Sequence, residues 1–203
     1  MAAKVNNAHL VFALKLTIHF ISLFLLVTLY IEAANDQLGA DPVEAVLHFT
    51  GIGAFNLLLL SLLVSPLAQQ FKWSHLLKVR RLIGLYSFTY ALCHLLSFLA
   101  FEVQFDWGLF INEIIERPYI SVGMLAVVIL FLLTITSFSM MKKKMGRNWQ
   151  TLHNGVYVAL CFVALHFYWS VKSDVIEPSI YIAMCVFLLY FRRRKIRRWF
   201  HRS

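Results

Sequence analysis

Histidines set in apolar surroundings are the residues here whose type and spacing could do chemistry. His94 lies 13 residues after Arg81, and His166 lies 13 after His153. If both stretches are helices rising from the same boundary, a rise of 1.5 Å per residue places His94 and His166 at one depth, roughly 18 Å above it. Two imidazoles at matched depth are the axial set of a b-type haem, whose porphyrin fills the space between helices. The competing reading is a histidine that only satisfies a hydrogen bond in a helix bundle. A matched pair in a charge-free interior favours the haem, because ionisable groups inside a membrane usually mark function. Tyr90, Ser97 and Phe98 share the helical face of His94, as Phe162, Trp169 and Ser170 share that of His166. Aromatic rings there could wall a macrocycle, and hydroxyls could hold a ligand tautomer; helix packing and interfacial tryptophan are the plainer readings.

Arg81 and His153 form a second depth-matched pair at the other end of the same two stretches. Thirteen residues leave them about 140° around the helix from His94 and His166, so the four need not meet one group. Arg81 could pair with propionates or a phosphate, or could simply be membrane-flanking charge. His19, i+4 from Lys15, and His48 are candidate further ligands for which a structural role is favoured. His9, His75 and His201 carry no special signal.

The elements that must position these residues are apolar runs. The 203 residues are 60% hydrophobic and 14% charged, with a mean hydropathy of +0.71, too apolar for a soluble domain of this size. A spanning helix needs roughly 20 apolar residues. Four runs without Asp, Glu, Lys or Arg meet this: Ala45 to Phe71, Leu82 to Phe101, Pro118 to Met141 and Asn148 to Val171. Leu10 to Ile31 is broken only by Lys15, and Pro178 to Phe191 has 14 residues. The fold expected is an all-α polytopic membrane bundle of about six transmembrane helices, at about 10-31, 48-68, 82-101, 118-140, 151-171 and 176-191.

Charge alternates between the runs. All ten acids fall in segments 32-47, 102-117 and 172-177, while 17 of 19 bases fall in 72-81, 142-147, the tail and the start of the chain. The positive-inside rule makes the basic side cytoplasmic, with both termini there, and requires the short sixth run to span. The net charge of +9 is therefore membrane-flanking charge, with membrane lipid and no nucleic acid as partner. A cleaved signal peptide ending near Ala33 and Ala34 is disfavoured by the length of the first run and the absence of a clean A-x-A site. Cys93, Cys161 and Cys185 lie in separate apolar runs without CxxC spacing, as small core hydrophobes. No Walker or Rossmann glycine motif, nucleophile triad, linker or repeat is evident.

Local strings then carry a resemblance over almost the whole length. LGADPVEAVLHFTG at 38-51, RRLIGLYSF at 80-88 with His94 following, ERPYISVG at 116-123, GRNWQTLHNGVY at 146-157 and HFYWSVK at 166-172 resemble the MsrQ (YedZ) family of the wider ferric-reductase-like transmembrane group. The resemblance implies a single such domain over 1-203 in the bacterial inner (plasma) membrane. It also implies a haem b electron-transfer subunit without a substrate site of its own. Electrons would come from a cytoplasmic NAD(P)H flavin reductase, with FMN as a further cofactor, and go to a periplasmic MsrP-like molybdopterin methionine sulfoxide reductase. The wider group stacks two haems on two histidine pairs; here the outer pair is His94 and His166, while the inner pair is Arg81 and His153. Two rival readings stay open: a proton-coupled transporter relaying through His19, His94 and His166, and a dihaem quinol-oxidising cytochrome using His153 with His19 or His48.

Overall fold

The computed structural model describes residues 2–171 and 175–200, which form helices and turns without a strand. Lys172, Asp174, His201 and Arg202 from the charge and histidine patterns lie outside the described residues. Five helical segments are long and apolar enough to cross a membrane: Ala8–Ala34, Pro42–Gln70, Arg80–Glu102, Pro118–Ile135 and Arg147–Ser170. The chain divides into two compact units, Met1–Asp106 and Trp107–Ser203.

The first unit contains α1 (Ala2–Ala34), α2 (Pro42–Gln70) and α3 (Arg80–Ser97). The start of α2 is written in its sequence. Asp41 accepts the Glu44 amide N–H at 2.9 Å, Pro42 occupies the first turn, and Glu44 adds negative charge where the helix dipole is positive. After α2 a short 3₁₀ turn, Ser74–Lys78, reverses the chain into α3.

Hydrogen bonds fix α2 and α3 as an antiparallel pair. Ser87 Oγ donates to the Ala54 carbonyl at 2.9 Å, and Arg80 Nε donates to the Ser61 carbonyl at 3.1 Å. Phe55, Leu58 and Leu62 are almost fully buried on the α2 face. By contrast, α1 runs parallel to α3: His19 pairs with Tyr86 at 2.6 Å, Tyr90 Oη donates to the Ser22 carbonyl at 2.9 Å, and Tyr30 pairs with Ser97 at 2.8 Å. In lipid a hydroxyl has no water to fall back on, so such cross-helix bonds hold α1 where apolar surface alone would not. The other face of α1 leaves Phe12, Phe20 and Phe24 exposed, as a lipid-facing surface should. The directions of the three helices collect Lys15, Lys72, Lys78, Arg80 and Arg81 at one end of this unit. Glu32, Asp36, Asp41, Glu44, Glu102 and Asp106 collect at the other.

The second unit contains α4 (Trp107–Glu116), α5 (Pro118–Ile135), α6 (Ser139–Met145), α7 (Arg147–Asn154), α8 (Val156–Ser170) and α9 (Ile176–Phe200). It departs from the sequence reading in four places. Within the acidic segment 102-117, for which no helix is expected, residues 107-116 form an amphipathic helix. Trp107, Ile111 and Ile115 are exposed along one stripe of it, the pattern of a helix lying in a membrane interface. The fourth expected span, 118-140, stops at Ile135, because the chain turns at Thr136 and restarts as α6. The fifth, 151-171, is α7 and α8 divided at Gly155. The sixth exists as the 25-residue α9, but it is not among the five long apolar segments. Its last third carries Arg192, Arg193, Arg194, Lys195, Arg197 and Arg198, leaving a short apolar stretch.

Candidate functional site

His94 stands on α3 and turns its ring onto α2. Its Nδ1 lies 2.9 Å from the Leu47 carbonyl oxygen and 3.4 Å from Thr50 Oγ1. The Thr50 hydroxyl spends its proton on the Val46 carbonyl at 2.6 Å. Both neighbours of Nδ1 are therefore acceptors, so Nδ1 carries the hydrogen and donates it, and Nε2 is the nitrogen with the lone pair.

His166 stands on α8 and repeats the arrangement on α5. Its Nδ1 donates to the Tyr119 carbonyl at 2.7 Å, with the Tyr119 ring 6.1 Å from its own. A backbone carbonyl can only accept, so the tautomer is again fixed with the lone pair on Nε2. Metal-bound imidazole usually has this outer partner, which orients the ring and raises ligand basicity. Each histidine lies at the acidic end of its own unit, and each ring is half-buried. Among the described residues no three His, Cys, Asp or Glu side chains gather as a site for a bare metal ion. Each ring by itself has the donor chemistry of a metal-ligand imidazole, with Nδ1 held by a carbonyl and the lone pair on Nε2.

The hydroxyls sharing the histidines' faces do other work than expected. Ser97 pairs with Tyr30, Tyr90 donates to Ser22, and Ser170 donates to the Phe167 carbonyl at 2.9 Å. The tautomers are held by main-chain carbonyls, which sequence patterns do not reveal.

Arg81 and His153 lie at the basic ends of their units. Arg81 is exposed at the start of α3, and its neighbour Arg80 donates into α2. His153, in α7, stacks on Trp149 with ring centroids 4.0 Å apart, and its Nε2 lies 3.1 Å from Thr136 Oγ1. Thr136 gives its hydroxyl proton to the Leu132 carbonyl at 2.6 Å, so His153 Nε2 is the donor, the opposite nitrogen from that used by His94 and His166. Trp149 Nε1 donates to the Thr136 carbonyl at 2.8 Å, and Lys142 Nζ lies 4.9 Å above the Trp149 ring. His19 is committed to Tyr86. His48, next in sequence to Leu47, lines a groove of about 630 Å³ together with Ser22, Asn56 and Tyr90.

Helix pairs that each present one histidine inside a membrane-spanning bundle define the class: a family model described as the ferric reductase like transmembrane component matches residues 50–164. Three curated relatives, from Salmonella paratyphi B, Salmonella newport and Salmonella heidelberg, each bear the name protein-methionine-sulfoxide reductase heme-binding subunit MsrQ. Each is 40% identical over 187 residues, covering 92% of this chain and 94% of the relative. The chain belongs to the MsrQ family of ferric-reductase-like transmembrane proteins.

Proposed function

We propose that this protein is the haem b electron-transfer subunit of a methionine sulfoxide reductase system, with His94 and His166 as the axial ligands. The observation that carries the reading is the pair of carbonyl-bonded Nδ1 atoms, which leaves Nε2 as the lone-pair nitrogen of both rings. Family membership supports the same assignment. His94 and His166 would hold the haem, which would supply one-electron transfer, and the subunit would need no substrate site of its own. The chain's own residues hold the group, fix its ligand tautomers and keep water from it.

Sidedness follows from charge. Within each unit the acids lie at one end and the described bases at the other, except Arg117, which pairs with Glu113, and the positive-inside rule turns this into cytoplasmic termini in a bacterial inner membrane. Electrons would enter from a cytoplasmic NAD(P)H flavin reductase at the basic end, where Arg81 and His153 lie. They would leave at the acidic end to a periplasmic MsrP-like molybdopterin reductase. Arg81 suits the phosphate of FMN, while His153 offers an imidazole for a second haem once its bond to Thr136 is exchanged. A second reading, quinol as the electron donor, is favoured by the groove beside α1, where His48, Asn56 and Ser22 line an otherwise apolar surface open to lipid.

The test is an absorption spectrum of the purified protein before and after dithionite, repeated for His94→Ala and His166→Ala. The reading expects a bis-imidazole haem b spectrum in the wild type and severe depletion of haem in both variants. A normal reduced spectrum in either variant would mean that the ligands are others. Co-purifying quinone lost on mutating Asn56 would favour the second donor.

A further inference from the structure

The two histidines are seated by one device that occurs twice. Gly51 stands four residues after Leu47 and 43 before His94; Gly123 stands four after Tyr119 and 43 before His166. The pattern repeats at an offset of 72 residues, which also relates Arg81 to His153. In a helix the carbonyl of residue i already accepts the N–H of residue i+4. A ring nitrogen reaching that carbonyl's second lone pair must pass over residue i+4, where a side chain would begin. A Cβ at Gly123 would lie 2.7 Å from His166 Nδ1 and 2.9 Å from Cε1, closer than atoms pack; one at Gly51 would lie 3.2 Å from the same two atoms of His94.

We propose that Gly51 and Gly123 are positioning residues: their missing side chains let each imidazole dock on the carbonyl one turn back, which sets the ring and its tautomer before any ligand arrives. The two seats differ in tolerance. The His166 seat is the tighter, with the shorter hydrogen bond and the closer approach, so it admits no Cβ, whereas His94 could accommodate one by moving a few tenths of an ångström. Gly84, also within α3, has nothing within 4 Å of where its Cβ would stand and serves as the control. The assignment of the rings as haem ligands rests on the function proposed above, but the seating of the rings does not.

Two measurements on the full-length protein keep these apart. The first is a melting-temperature cycle on haem-free protein. Alanine in place of helical glycine ordinarily stabilises a helix. Gly123→Ala should therefore lower the melting temperature when His166 is present and raise it in the His166→Ala background, where the ring is gone. If Gly123→Ala fails to fold but the double variant folds, the proposal stands. Equal shifts in the two backgrounds, or failure of both to fold, overturn it.

The second measurement is haem content, electron paramagnetic resonance of the ferric low-spin signal, and midpoint potential. Gly123→Ala should weaken haem binding by about tenfold or more, the usual effect of losing an outer partner of a metal ligand, and should shift the signal and potential of the haem that remains. Gly51→Ala should shift the signal with most haem retained, and Gly84→Ala should match the wild type. Wild-type signal, potential and haem content in Gly123→Ala would overturn the proposal. Wild-type protein without haem, or His166→Ala that keeps it, would instead remove the haem reading while the melting cycle still decides the seating.

Discussion

Trp149 covers one face of the His153 imidazole, with ring centroids 4.0 Å apart and planes 26° from parallel. The same indole bonds the Thr136 carbonyl, and Thr136 Oγ1 takes the His153 Nε2 hydrogen, so Trp149 and Thr136 together hold the ring at the point where α5 ends. With this clamp removed, the imidazole would sample other rotamers at the proposed entry end for electrons. Trp149→Ala is expected to slow reduction by NAD(P)H plus flavin reductase by several-fold, with the dithionite-reduced spectrum unchanged. Stopped-flow traces with each reductant make the comparison, and equal enzymatic rates would remove His153 from the entry route.

Adjacent arginines should behave differently. Arg80 donates to the Ser61 carbonyl inside the first unit, whereas Arg81 is exposed. A charge-assisted bond of this kind is worth roughly 1.5–3 kcal/mol, so Arg80→Ala should lower thermal stability. Arg81→Ala should keep both stability and haem but slow enzymatic reduction. If Arg81→Ala is reduced at the wild-type rate with unchanged flavin and haem content, Arg81 is ordinary membrane-flanking charge.

The bonds joining α1 to α3 predict a small, specific loss. Tyr90→Phe removes the donor to the Ser22 carbonyl and keeps the ring. Hydrogen bonds between membrane helices average about 0.6 kcal/mol, reaching about 1.7, so the melting temperature in detergent should fall by a few degrees while haem content stays at the wild-type level. An unchanged melting temperature would show that the Tyr90 bond adds nothing to the hold on α1.

Topology can be read with reporter fusions. A reporter joined after Ser203 should give a cytoplasmic signal, and one inserted within 102-117 a periplasmic signal. A periplasmic tail would mean that α9, whose apolar part is short, does not span.

The sequence by itself determined the solvent and the candidate ligands. Spanning runs and charge alternation are properties of composition averaged over about 20 residues, so α2, α3 and the chemistry proposed for His94 and His166 could be read without coordinates. Local patterns also hold the amphipathic stripe of α4, within the acidic segment 102-117. Tertiary structure decided what depends on the register of one helix against another. The Leu47 and Tyr119 carbonyls lie 47 residues from the rings they bond, and no local periodicity reports such a pairing. The end of α5 at Thr136 has the same origin, since its carbonyl and hydroxyl serve Trp149 and His153 from α7. So do the seats at Gly51 and Gly123: a glycine's use is visible only when the atom that would meet its side chain is in place.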